Sequence, residues 1–180
     1  MQVYHKLLSA HLINEFFQDA LEGHEHSLGS LSGRTKEALA RYWLESGQGK
    51  SDSILYKYSM ARILANMPAQ RSDTNPHQAV KLLIELRNWC VHYRPDTVSD
   101  DDPHRLDAKL RGKFPDCALM ENSGNPWFPD IALGAGCARW AFDSAKAFGD
   151  EFCGAFSIQP NYQLVDHPTQ RPPKPPAHRV

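Results

Sequence analysis

One stretch of this chain has to satisfy two partners at once. Over Leu82-Leu83-Ile84-Glu85-Leu86-Arg87-Asn88-Trp89-Cys90-Val91-His92-Tyr93-Arg94-Pro95 the apolar residues recur at helical spacing. At about 100° per residue they fall on two faces. Ala79, Leu82, Leu83, Leu86, Trp89, Cys90 and Tyr93 form a broad face, and Val80, Ile84 and Val91 form a narrower one. Arg87 and Arg94 lie between the faces on one side, with a polar wedge of Lys81, Glu85, Asn88 and His92 on the other. A helix apolar on two sides leaves water only if elements pack on both, so this one is predicted to be central. Asn75 is placed to cap its start, with Pro76 at the first helical position. Pro95 biases Arg94 away from the α region, which predicts an end near Tyr93.

The same period governs the rest of the apolar sequence. Leu7, Leu8, Leu12, Ile13, Phe16, Phe17 and Ala20 predict a helix over Val3 to Leu21, stopped by Gly23. Thr35 to Leu44 is a shorter one. Ser51 or Asp52 is expected to cap a helix from Ser53 to Met67, with Ile54, Leu55, Tyr58, Ala61, Ile63, Leu64 and Ala65 inward and Lys57 and Arg62 in solvent. Pro103 to Phe114 is predicted as a helix with a basic face of Arg105, Lys109, Arg111 and Lys113. The last runs from an Asp130 cap to Phe156, with Leu133, Cys137, Trp140, Ala141, Ala145, Phe148 and Phe152 inward. Its Gly134, Gly136, Ala138 and Ala141 would admit another backbone closely, inside the chain or across a dimer. No strand period appears. The expected fold is an all-α bundle of five or six helices over residues 1–158.

After Ile158 the composition changes. Six of the 13 prolines fall in residues 159–180, with almost no apolar residues, so this tail is expected to be disordered or polyproline-like.

Several function classes fall away. The net charge is -1, so no global field draws the chain to nucleic acid, and any RNA contact needs a local patch or a second subunit. Gly47-Gln48-Gly49-Lys50-Ser51 lacks the first glycine of a phosphate loop and follows a helix, not a strand. His24-Glu25-His26 reads as a solvated loop. Asp96, Asp100, Asp101 and Asp102 match no calcium-loop spacing, and Asp101 or Asp102 can cap the next helix. Neither a metal site nor a cofactor is expected. Cys90, Cys117, Cys137 and Cys153 contain no Cys-x-x-Cys pair, and three of them read as small buried hydrophobes. With no signal-peptide pattern and no apolar run long enough for a membrane, a cytoplasmic address is expected.

The polar residues of the central helix carry the functional argument. RNA brings its own nucleophile, the 2′-hydroxyl. Its cleavage needs a base for that proton, an acid for the leaving oxygen and positive charge on the phosphate. His92 suits proton transfer, since histidine titrates near neutrality. Arg87 suits the phosphate through paired hydrogen bonds. Asn88 can fix the imidazole or donate to the phosphate. Arg87 points about 140° from His92 around the helix, so a single helix is not expected to aim both at one phosphate.

Arg87, Asn88 and His92, in an Arg-x4-His spacing that closes a leucine-rich helix, resemble the signature of the HEPN superfamily. The likeness extends through the Leu-x-x-Leu-Arg-Asn lead-in, the Pro95 stop and the small-residue helix that follows, over about Ser53 to Ile158. It implies an all-α, often dimeric domain. Many such proteins are metal-independent ribonucleases, and others only bind or assemble. Both readings stay open: a ribonuclease using Arg87, Asn88 and His92 at a homodimer cleft, or a non-catalytic assembly or RNA-binding module. Arg94, Lys109, Arg111 and Lys113 are candidate RNA contacts. A partner or antitoxin would be a separate chain.

Overall fold

A computed structural model describes residues 2–24, 28, 30–92 and 103–159, and over 2–10 the backbone alone. The protein is all-α, with no strand among the described residues. Its helices are α1 (Gln2–Glu22), α2 (Gly33–Glu45), α3 (Ile54–Leu64), α4 (His77–Val91), a short α5 (Asp107–Leu110) and α6 (Ala135–Phe156). A 3₁₀ turn (Ala118–Met120) and a π turn (Trp127–Ile131) separate α5 from α6. Tyr93, Arg94, the Asp96 to Asp102 run, Glu25, His26 and the proline-rich tail lie outside the described residues.

Local chemistry places the early helices. Ser32 Oγ accepts the Thr35 amide at the start of α2, and Ser53 Oγ accepts that of Tyr56 at the start of α3. The cap of α3 is therefore Ser53 and not Ser51 or Asp52, because only Ser53 reaches the third amide of the helix. Gly23, with φ +74°, follows the last residue of α1, as glycine does at a left-handed stop.

Helix α1 packs on α2, α3 and α6, and α4 packs on α6. Two clusters result. In the first, Phe16, Phe17, Trp43, Tyr58, Phe148, Phe152 and Phe156 fill the space between α1, α2, α3 and the second half of α6. Phe17 stacks on Trp43 at 5.2 Å, and Tyr58 meets Phe148 and Phe152 edge-on, each at 4.7 Å. The second cluster holds Leu86, Leu106, Leu110, Phe114, Trp127, Phe128, Ala132 and Cys137. Helix α4 serves both: Val80 and Ile84 face the first, while Leu82, Leu86, Trp89 and Cys90 face the second. Its two apolar faces thus find two partners inside one chain. Val91, the end of the narrower face, is exposed.

Several expectations are corrected. Lys57 is buried, at 8% exposure, because the loop over residues 46–52 folds across it. Its Nζ donates to Asn14 Oδ1 at 2.9 Å and lies 5.3 Å from the Trp43 ring. Gly49, with φ +60°, makes this possible, since a Cβ there would lie 2.6 Å from Lys57 Cε. Ile63 is 54% exposed rather than inward. Asn75 does not cap α4; Pro76 holds the cap position without a side-chain hydrogen bond. The predicted 103–114 helix shrinks to the single turn of α5, because Leu106 and Leu110 are anchored in the second cluster and Gly112 turns the chain away at φ +78°. The last helix begins at Ala135 behind Gly134, not at Asp130, which lies in the π turn, and Leu133 is 38% exposed.

Candidate functional site

Helix α4 ends at Val91, two residues before the expected Tyr93, and His92 closes it. The His92 amide donates to the Asn88 carbonyl at 2.9 Å, which places His92 one turn beyond Asn88 at the open end of the helix. Both side chains are exposed. Arg87 is half-buried, as its place between two apolar faces predicts, and its Nη1 donates to Asn88 Oδ1 at 2.8 Å. Its Nε is buried without a hydrogen-bond partner, and no carboxylate pairs with it among the described residues.

That pairing matters electrostatically. An amide oxygen aims a guanidinium but does not neutralise it, so the Arg87 cation keeps its charge beside an exposed amide. A buried donor left unmade costs about 1–3 kcal/mol. The arrangement offers an anion a positive charge that no carboxylate among the described residues pairs with. It does not join Arg87 to His92: no described hydrogen bond links the two side chains, in keeping with their angular separation.

The basic residues divide. Lys109 does reach α4, but its Nζ pairs with Glu85 Oε2 at 2.6 Å. Arg111 forms a two-point pair with Asp107, Nε to Oδ1 at 2.8 Å and Nη2 to Oδ2 at 3.0 Å, and stacks 4.5 Å from the Trp127 ring. Trp127 Nε1 in turn donates to Asp116 Oδ1 at 2.8 Å. The Asp107 hydrogen bond raises the pKa of Arg111 against the opposing effect of desolvation, and the charges of Asp107 and Asp116 add less. Arg111 is therefore engaged within the chain by a carboxylate and a ring, although its side chain is exposed. Lys113 and Arg105 are exposed, and Arg94 lies outside the described residues.

The two glycines at the start of α6 are also accounted for. A Cβ at Gly134 would sit 2.8 Å from that of Cys117, and one at Gly136 would strike the Pro115 carbonyl. Their partner is the 115–117 segment of the same chain, tied down by the Cys117 amide bonded to the Ile131 carbonyl at 3.0 Å. Burial pushes the thiols of Cys137 and Cys153 up to about 11, so these cysteines are poor nucleophiles. Among the described residues no three His, Cys, Asp or Glu side chains are grouped to hold a metal, and no helix is long and apolar enough to cross a membrane.

Periodicity gave no sign of His104. Its ring stacks on Phe128 at 4.8 Å and meets Trp89 of α4 edge-on at 5.5 Å. No protein-family model, curated protein or solved structure matches this chain.

Proposed function

We propose that this chain is a HEPN-like protein and that Arg87, Asn88 and His92 form a metal-independent RNA endonuclease site at a cleft shared by two copies. The observation that supports the reading is the Arg87 cation, paired with no carboxylate among the described residues and bonded to Asn88, which lies one turn before an exposed histidine. In this reaction His92 takes the 2′-hydroxyl proton, the 2′-oxygen attacks phosphorus, and Arg87 holds the phosphate charge. The 5′-oxygen leaves with a proton taken from water, and the product is a 2′,3′-cyclic phosphate. A second copy supplies the groups that one helix cannot aim at the same phosphate.

The test is cleavage of RNA in a metal chelator. Wild type should cut and leave cyclic phosphate ends. His92→Ala should fold within about 1 kcal/mol of wild type, since the side chain is exposed, and should not cut. Mixed dimers of His92→Ala and Arg87→Ala should regain one working site.

A non-catalytic assembly or RNA-binding module is the second reading. It is favoured by one fact: Lys109 and Arg111 spend their charge inside the chain. Wild type that leaves every RNA intact, with and without metal, would decide for it.

A further inference from the structure

The segment that follows α4 runs back along it. His104 meets Trp89, whereas Lys109, further on, meets Glu85, one turn earlier in the helix. The segment is therefore antiparallel to α4 and borders its polar wedge. Within that wedge Glu85 is the acidic residue, among Lys81, Asn88 and His92. Its seven-residue separation from His92 is about 20° around the helix and about 10 Å along it. Left bare, the Glu85 carboxylate would repel a strand of RNA lying along this face. Lys109 covers it.

Lys109 is held differently from Arg111, two residues on. Arg111 is fixed by two parallel bonds to Asp107 and by the Trp127 ring, and Asp107 is only 14% exposed. Lys109 makes one bond, Nζ to Glu85 Oε2 at 2.6 Å, with its side chain 49% exposed and that of Glu85 31% exposed. A point charge on a flexible four-carbon stem is redirected by turning the stem, whereas a planar fork bound at two points is not. Water and salt also screen so exposed a pair, so it is held weakly. Lys81, exposed and one turn before Glu85, is not the cation that Glu85 takes, which leaves a second lysine on the wedge beside the pair.

We propose that Glu85 holds the place of an RNA phosphate on Lys109 in the free protein and yields it when RNA binds. The Lys109 ammonium then turns to a phosphodiester of the strand that reaches His92. The exchange is ionic: no covalent bond forms or breaks, and no proton moves. The inference rests on the site reading above, because that reading brings RNA to His92. Each binding event must first break the pair, so Glu85 weakens the hold on RNA and speeds its departure.

The experiment measures binding of a fluorescent 2′-O-methyl RNA oligonucleotide, whose nucleophile is blocked, to the full chain over a range of salt concentrations. Glu85→Gln frees Lys109 and should tighten binding about threefold. The fall of log K with log salt should steepen by about 0.7, the share of one single-strand phosphate. In a Lys109→Gln background the same change should lose the steeper slope. Glu37→Gln releases Arg41 on α2 with the same change in net charge, and should leave affinity and slope as in wild type. Glu85→Gln binding like wild type, or a steeper slope that persists without Lys109, would overturn the inference and leave the site reading standing. So would Glu37→Gln matching Glu85→Gln, since net charge alone would then explain the gain. A tighter and steeper Glu85→Gln in a protein that cuts no RNA would keep the inference and remove the ribonuclease reading. If neither wild type nor Glu85→Gln binds the oligonucleotide, both fall. Should Glu85→Gln unfold, the wild-type Glu85 carboxyl carbon decides by NMR: it should shift as RNA takes its partner, and a fixed resonance in the bound state would end the proposal.

Discussion

The two clusters of this protein are assembled from different materials. The first is lined by long amphipathic helices, half of its buried residues are aromatic, and it carries a buried lysine under a loop. The second is built from single turns around aromatic rings, pinned by polar bonds such as Trp127 to Asp116 and Arg111 to Asp107. A long helix can be positioned by its own periodicity, because an entire face leaves water together. A single turn cannot, since too few residues share the cost of fixing its backbone. Its place depends on bonds made far along the chain. The candidate site lies where the helix common to both clusters emerges from them.

This contrast can be broken experimentally, and the largest effects should lie in the first cluster. Phe152 is fully buried among three other rings, so Phe152→Ala should cost about 4 kcal/mol and unfold the chain more readily as a whole. Leu110→Ala should cost about 2–3 kcal/mol. Hydrogen exchange after that change should quicken over 104–131 while α1 to α3 keep their protection. Equal loss throughout would mean that the two clusters melt as one.

A backbone effect comes next. Gly136→Ala forces a methyl against the Pro115 carbonyl, which cannot yield as a side chain would, and should cost about 2–3 kcal/mol in denaturant melts. Gly154→Ala, on the same helix with open space around it, should instead gain up to about 1 kcal/mol.

Smaller effects come from the polar groups of the first cluster, and they have opposite signs with pH. Burial, then the hydrogen bond to Asp52, raises the Tyr42 hydroxyl well above its ordinary 10.0. The folded state holds that proton where the unfolded state releases it. The contribution is therefore complete below pH 10 and is lost as pH rises further. Burial lowers Lys57 from 10.5, so the folded state sheds that proton first, and the penalty of the buried charge is relieved as pH climbs toward the unfolded value. In denaturant melts between about pH 8 and 11, Tyr42→Phe should start about 1–2 kcal/mol less stable and flatten the alkaline decline. Lys57→Met should make that decline steeper. The same slope in both variants would disprove the assigned environments.

The smallest difference separates two neighbours on the basic segment. Arg111→Ala should lose about 1 kcal/mol with its stack and carboxylate pair, and Lys113→Ala less than about 0.5 kcal/mol. Equal losses would remove the distinction between clamp and surface charge.

How much the amino-acid pattern reveals follows the same division. The bounds of α1 and α2, the double role of α4 and the buried stripe of α6 are all readable from spacing, because each depends on residues within a few turns. Lys57 is misplaced by a helical wheel because the wheel contains no loop to cover it. Gly134 and Gly136 do mark a close backbone approach, but nothing local says that Pro115 and Cys117 are what approaches. Arg87, Asn88 and His92 are identifiable by residue type and spacing. The Arg87 to Asn88 bond is a matter of geometry, and His104 is invisible because only the antiparallel return of the chain brings it to Trp89.

The distribution of tryptophan bears on how unfolding of this protein should be watched. Of the four indoles, only Trp43 sits in the first cluster, while Trp89, Trp127 and Trp140 belong to the second. Intrinsic emission therefore speaks mainly for the turns and rings around the end of α4, whereas far-ultraviolet dichroism is dominated by the long helices. A melt followed by both signals at once reports on two regions from a single sample, with no label attached. Coincident curves would mean one cooperative unit, and an emission change that comes first would locate the earliest loosening beside His92 and Asn88.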